Sequence, residues 1–118
     1  MIVEQSLKFE STPEALWPWI ADPARRAQWI QDAQRVEVRV ERSDPPRTLV
    51  LSAGGLPNDM QVRLEIALVP EGNGTRVDLR AQTELTGMMI FAEKMIASKA
   101  KSKLASWAEN LRALVAAG

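Results

Sequence analysis

The side chains that could do chemistry here are carboxylates, hydroxyls, lysines and arginines, because the chain has no histidine, cysteine or tyrosine. Without histidine, serine lacks the usual base that activates it, so a Ser-His triad is excluded. Without cysteine, disulfides and thiolate chemistry are excluded too. These absences make an enzyme the less favoured class of protein, and we expect no cofactor.

The acidic residues give no sign of a metal site. Most of them alternate toward the polar side of the strand patterns described below, and none shows the spacing of a ligand cluster, so we predict no bound metal. Two single carboxylates, Asp59 and Glu93, could each serve as a general acid or base. Nothing in the sequence assigns either of them that role.

The charges of the chain balance, with 15 basic and 15 acidic side chains. A local basic stretch runs through Lys94, Lys99, Lys101 and Lys103, but no aromatic residue lies between these lysines. A solvated helix face is the ordinary interpretation of such a stretch, and we expect no nucleic-acid partner. The sequence contains no run of about 18 apolar residues and no signal-peptide pattern, so we expect no membrane span and a cytoplasmic protein.

Apolar residues suited to a binding surface gather near residue 90. This stretch is apolar around much of the circumference of a helix and contains several methionines, whose flexible thioethers suit varied apolar ligands. Core packing is the alternative interpretation, and Trp107, further along, is expected in the core. Thr83 and Gln5 fall on the apolar side of their strand patterns. A buried hydroxyl or amide needs a partner, which could be backbone, water or a ligand.

The elements that would position these residues begin with a strand over residues 2–10, where apolar and polar residues alternate. Ser11 and Glu14 have the spacing of a capping box, which predicts a helix start. Pro18 should kink that helix. Asp22 followed by proline then predicts a second short helix.

Alternating patterns predict further strands around Val36–Val40, Leu49–Leu51, Met60–Leu68 and Val77–Leu85, joined by short turns. The last quarter of the chain has no proline or glycine between Met88 and Ala117, and its apolar residues recur at steps of three and four. This pattern predicts one long amphipathic helix. The expected fold class is therefore α+β: an antiparallel sheet of about five to six strands, two short helices after the first strand, and the long C-terminal helix packed across the sheet.

Three segments, in this order, carry a resemblance to a known family: TPEALWPWIADPARRAQW, SDPPRTLVLSAGG and LVPEGNGTRVDL. The chain resembles the START-like (SRPBCC) superfamily, whose helix-grip fold includes polyketide cyclase/dehydrase-like and Bet v 1-like proteins. The resemblance covers nearly the whole chain, so residues 1–118 are expected to form a single START-like domain. The stretch between Trp29 and Asp44 is shorter than in that family by roughly a hairpin. Three consequences stay open: a smaller cavity, a cavity more open at one edge, or a cavity covered by a second subunit. An exposed edge strand would favour pairing into a homodimer.

The resemblance implies a cavity between the concave face of the sheet and the long helix, holding a small hydrophobic molecule such as a lipid or a polyketide-like compound. Two alternatives stay open: an enzyme of the cyclase/dehydratase type, and a protein-interaction module with a filled core. The residues expected to contact a ligand are Trp17, Trp29, Val62, Leu64, Leu79, Ala81, Thr83, Met88, Met89, Phe91 and Met95.

Overall fold

The structure, a computed structural model, describes residues 1–30, 37–54 and 60–117. A single sheet and three α-helices account for most of them. In chain order the elements are β1 (Ile2–Phe9), α1 (Pro13–Ala21), α2 (Pro23–Trp29), β2 (Glu37–Asp44), β3 (Thr48–Gly54), β4 (Val62–Glu71), β5 (Gly74–Thr83), a 3₁₀ segment (Gly87–Ala92) and α3 (Glu93–Ala117).

The five strands form one antiparallel sheet in the order β1-β5-β4-β3-β2. The long helix α3 packs across this sheet and makes most of its sheet contacts with β1, the strand at one edge. The predicted α+β architecture is confirmed: an antiparallel sheet, two short helices after β1 and a long C-terminal helix. Helix and sheet each bury one apolar face against the other, which is the usual way in which two such layers stabilise each other.

The core lies between the inward face of the sheet, the short helices and α3. On the central strands β4 and β5, Ile66 and Leu79 are almost completely buried. Leu104 and Leu111 of α3 are 1% exposed and meet them from the other layer. The outward face carries exposed ion pairs, among them Arg76 with Asp78, as expected of a sheet with one wet side.

The two short helices follow the predicted signals with one correction. The cap of α1 is Thr12, whose hydroxyl accepts a hydrogen bond from the backbone N–H of Ala15 at 3.2 Å. The predicted Ser11 cap is therefore wrong by one residue, because the helix starts at the proline that follows Thr12. The helix continues through Pro18 to Ala21. Asp22 caps α2 as predicted, and its carboxylate accepts from the N–H of Ala24 at 2.9 Å.

The start of the long helix also differs from the prediction. The α-helix begins at Glu93 rather than Met88, and a 3₁₀ segment from Gly87 to Ala92 precedes it. No residue of the 3₁₀ segment is buried. Since most helix stability in proteins comes from the packing of an apolar face, this unpacked stretch lacks the contacts that would hold it in the α-helical form.

Strand β2 departs furthest from its predicted burial. Its alternating valines predict one covered face, yet every residue of β2 is exposed, Val40 to 50%. The strand lies at the end of the sheet opposite β1, where α3 does not cover it. Val36, the first residue of the predicted pattern, lies outside the described residues.

Candidate functional site

An open pocket of about 310 Å³ lies between the sheet and α3. It lies where α3, which packs mainly on β1, leaves part of the inward face of strands β2 to β5 open. Small side chains widen the gap on both sides, namely Ala53 and Ala81 from the sheet and Ala100 from the helix. The pocket is at the lower end of the 300–1,000 Å³ typical of small-molecule sites.

The sheet wall of the pocket comes from four neighbouring strands: Val38 of β2 contributes at its edge, and β3, β4 and β5 supply the rest. Strand pairing places Val62 opposite Thr83 and Leu64 opposite Ala81, so these residues form adjacent cross-strand pairs on one face. Six residues of β3, β4 and β5 belong to this wall: Leu51, Ala53, Val62, Leu64, Ala81 and Thr83.

The helix wall comes from the first four turns of α3. Ile96, Ala100 and Trp107 are spaced by four and seven residues, so they lie along one side of the helix. Lys99 and Lys103 flank this row and also contribute to the wall. A lysine has a long aliphatic stem, which can cover apolar surface while its ammonium group stays in water.

Arg26 of α2 is the one strongly buried charged side chain in the wall, at 6% exposure. Its Nη1 donates hydrogen bonds to the carbonyl oxygens of Ile20 at 3.1 Å and Ala21 at 3.3 Å, the last residues of α1. The guanidinium thereby satisfies carbonyls at a helix C-terminus, where a cation is also favoured by the helix dipole. Burial lowers the pKa of Arg26, and the nearby Asp22 carboxylate opposes this effect.

The hydroxyl of Thr83, on the apolar side of its strand, has a hydrogen-bond partner within the protein. Its Oγ1 donates a hydrogen bond of 2.7 Å to the carbonyl oxygen of Gln61. The hydroxyl is therefore satisfied by backbone while the side chain lines the pocket. The surface that the wall presents to the pocket is almost wholly apolar, although Arg26, Lys99 and Lys103 contribute to the wall.

The predicted ligand-binding residues fall into three groups in the structure. Val62, Leu64, Ala81 and Thr83 are brought together in the sheet wall. Trp29 and Leu79 are fully buried in the core, with Trp17 packed partly buried against it. The residues near the start of the long helix lie outside the pocket wall: Met88, Met89, Phe91 and Met95.

Residues near the start of the long helix are mostly exposed, Met88 to 85% and Phe91 to 89%. A 3₁₀ helix has three residues per turn rather than 3.6, so the side chains of this segment do not continue the apolar row of α3. A ligand contact at any of the predicted positions stays a prediction.

Sequence reasoning missed the helix half of the wall. The apolar face of the helix was recognised from its steps of three and four, but Ile96, Ala100 and Trp107 were not among the expected ligand contacts, and Trp107 was assigned to the core. The signal that could have found them is their spacing, which places them on the same side of the helix over three turns. Arg26 gave no such signal, because its burial depends on the packing of α1 against α2.

The described residues offer little further chemistry. They include no group of three or more histidine, cysteine, aspartate or glutamate side chains that could hold a metal ion. Glu93 lies in the first turn of α3 and is not part of the described wall. Asp59, the other candidate acid or base, lies outside the described residues. No helix within residues 1–30, 37–54 and 60–117 is both long and apolar enough to cross a membrane.

Comparison with known proteins supports the fold. No family model matches the chain, and no curated protein matches it by sequence. Solved structures match over nearly its full length. Protein MLL2253 from Mesorhizobium loti has a TM-score of 0.81 and 16% identity, with 98% of this chain and 96% of that chain covered. The AHSA1 protein from Silicibacter pomeroyi has a TM-score of 0.74 and 18% identity, with 98% of each chain covered.

The chain has a START-like fold. A third structure of this kind, the Aha1 dimer from Colwellia psychrerythraea, has a TM-score of 0.63 and 14% identity over 94% of this chain and 96% of that one. The predicted resemblance is therefore confirmed at the level of the fold, with Aha1-like and polyketide cyclase-like proteins as neighbours. At identities this low, similarity of structure carries no statement about activity.

Proposed function

We propose that this START-like chain binds a small hydrophobic molecule, such as a lipid or a polyketide-like compound, in the pocket between the sheet and α3. The observation that carries the proposal is an apolar pocket of about 310 Å³ with walls from both layers of the fold. A concave, mostly apolar pocket with few polar groups is the usual form of a small-molecule site.

The size of the pocket suggests the size of the ligand. At about 30 Å³ for a water-sized group, 310 Å³ holds on the order of ten methylene groups. Burial of each methylene contributes about 0.8 kcal/mol, which gives roughly 8 kcal/mol before the cost of association. Association costs about 4 kcal/mol or more, so a net gain of roughly 4 kcal/mol and a dissociation constant on the order of 1 mM are expected for a ligand of this size.

The test is a fluorescence titration with the neutral apolar dye N-phenyl-1-naphthylamine. Ala81→Phe adds a ring inside the wall and should weaken dye binding by roughly tenfold or more, because it fills the space that the dye needs. The matched control is Ala67→Phe on the neighbouring strand β4, at a half-buried position that is not part of this pocket. Equal dye binding by the wild type and both variants would refute binding at this pocket.

A protein-interaction role is the second candidate, and one observation favours it. Met88, Ile90, Phe91 and Met95 form an exposed apolar segment, 55% or more exposed at each position. Exposed apolar clusters on soluble proteins often mark contact surfaces. The role requires no pocket, so it would gain support if apolar dyes failed to bind.

We also propose that two copies of this chain associate through strand β2. Two observations support this: β2 is exposed along its whole length at the edge of the sheet, and one structural neighbour is a dimer. An uncovered edge strand offers a row of free backbone donors and acceptors to another strand.

A single START-like domain over residues 1–118 and a cytoplasmic location stay predictions.

A further inference from the structure

The charged residues of the pocket wall share one sign. Arg26, Lys99 and Lys103 line it, and none of its described wall residues is an aspartate or glutamate. The whole chain balances 15 basic against 15 acidic side chains, so the described part of the wall is more positive than the chain as a whole. A low-dielectric wall strengthens the field of such charges toward anything held inside the pocket.

Lys99 is the cation most available to a ligand. Its side chain contributes to the pocket wall, and the residue is exposed, so the ammonium group reaches solvent. Within the described part of the chain it makes no ion pair or hydrogen bond. Lys103 also lies in the wall but has an interaction of its own.

Arg26 provides the second cation. Arginine carries five N–H donors, and its two bonds to α1 carbonyls both come from Nη1. No fully buried side-chain nitrogen of the described residues lacks a hydrogen-bond partner. The nitrogens of Arg26 that make no bond to the described residues are therefore not fully buried, on a side chain that lines the pocket and is 6% exposed.

We propose that the natural ligand is an amphiphile: an apolar body of about ten carbons inside the pocket and one anionic group that Lys99 and Arg26 bind. This inference rests on the proposed function, because it describes the ligand of the same pocket. A carboxylate and a phosphate share the chemistry that these cations recognise. A neutral or cationic head group would leave the charge of the wall uncompensated.

The experiment compares ligands that differ only in their head group. Decanoate, decyl phosphate, 1-decanol and decyltrimethylammonium are tested below their micelle concentrations for displacement of N-phenyl-1-naphthylamine. We expect either anion to bind roughly fivefold to twentyfold more tightly than 1-decanol, with the cation weakest, since charge-assisted contacts at a partly exposed site contribute about 1–2 kcal/mol. This preference should shrink as salt is raised, because exposed charges are screened.

Lys99→Met removes the ammonium group and keeps an apolar stem. It should reduce the preference for the anion by about threefold or more and leave 1-decanol binding nearly unchanged. The matched control is Lys101→Met, an exposed lysine of the same helix that is not part of the wall. The control should retain the full preference for the anion.

The outcomes separate this inference from the proposed function. Equal binding of 1-decanol and both anions, or equal effects of the two lysine variants, would overturn the anionic ligand while pocket binding stands. Failure of the dye and of every decyl compound to bind would overturn both. A preference for either anion that falls with Lys99→Met alone supports the inference, and the tighter of the two identifies the head group.

Discussion

At the scale of single residues, polar side chains around the pocket bond mainly to backbone. Thr83 donates to the carbonyl of Gln61, and Trp29 donates from Nε1 to the carbonyl of Trp19 at 2.9 Å. Arg26 likewise donates from Nη1 to the carbonyl oxygen of Ile20 near the end of α1. Buried polar groups need partners, and backbone carbonyls supply them for Thr83, Trp29 and Nη1 of Arg26. The apolar wall thus depends on where these hydrogen bonds go.

The buried hydrogen bond of Trp29 leads to a prediction about stability. The sequence suggested a ligand contact, but the ring is 0% exposed in the core and is not part of the described wall. Trp29→Phe removes the hydrogen bond to Trp19 and leaves a small cavity, so the free energy of unfolding should fall by roughly 1–3 kcal/mol. Urea denaturation measures the loss. Affinity of the folded variant for N-phenyl-1-naphthylamine should stay the same, and a selective loss of affinity would place Trp29 at the ligand instead.

At the scale of elements, regular sequence patterns predicted the strands and helices well. Local departures from those patterns were not predicted. The period of two identified the strands, and proline after a capping residue identified both short helices. The 3₁₀ segment was missed because its apolar residues fit a helical period, while the contacts that would hold an α-helix are absent there. The exposure of β2 was missed because alternation says which residues share a face, but not whether another layer covers it.

The hairpin between β4 and β5 yields an element-scale prediction at Gly74. Gly72 has a φ of 59°, whereas Gly74 is needed for space: a Cβ there would lie 2.0 Å from the carbonyl oxygen of Phe9. Gly74→Ala must push β5 away from the end of β1, and we expect a loss of roughly 1–3 kcal/mol in unfolding free energy. Gly54→Ala is the control, with nothing within 4 Å of its new Cβ. Thermal and urea unfolding should show that Gly74→Ala is clearly less stable than Gly54→Ala. Equal stability of the two variants would contradict the close approach of Gly74 to the backbone of Phe9.

The exposed edge strand yields a second prediction at this scale. Val40→Lys places a charged side chain on β2. Natural edge strands carry such charges to prevent pairing with another strand. If two chains associate through β2, the dissociation constant of the dimer in sedimentation velocity should rise by roughly tenfold or more. Ser106→Lys, at an exposed position on α3, is the control and should leave the dimer unchanged. A wild type that stays monomeric up to high micromolar concentration would refute the association.

At the scale of the whole molecule, the pocket follows from the way two layers meet. The helix α3 packs on β1 at one edge of the sheet, and the sheet extends beyond it. The apolar faces of both layers were readable from the sequence, and so was half of the wall, including Ala81 and Thr83. The other half depends on the rotation and tilt of α3, which decide whether Lys99 or Met95 faces the sheet. Spacing along the helix shows which residues share a side, but it does not show which side faces the sheet.

Chemical-shift mapping with 1-decanol tests pocket binding most directly. In ¹⁵N–¹H spectra of the wild type, we expect saturable shifts that are largest at Ala53, Ala81 and Ala100, from both walls of the pocket. The same titration of Ala81→Phe should lose them, while Ala67→Phe keeps them. No saturable shift, or shifts confined to the exposed segment from Met88 to Met95, would contradict the account and favour a contact surface in place of a ligand pocket.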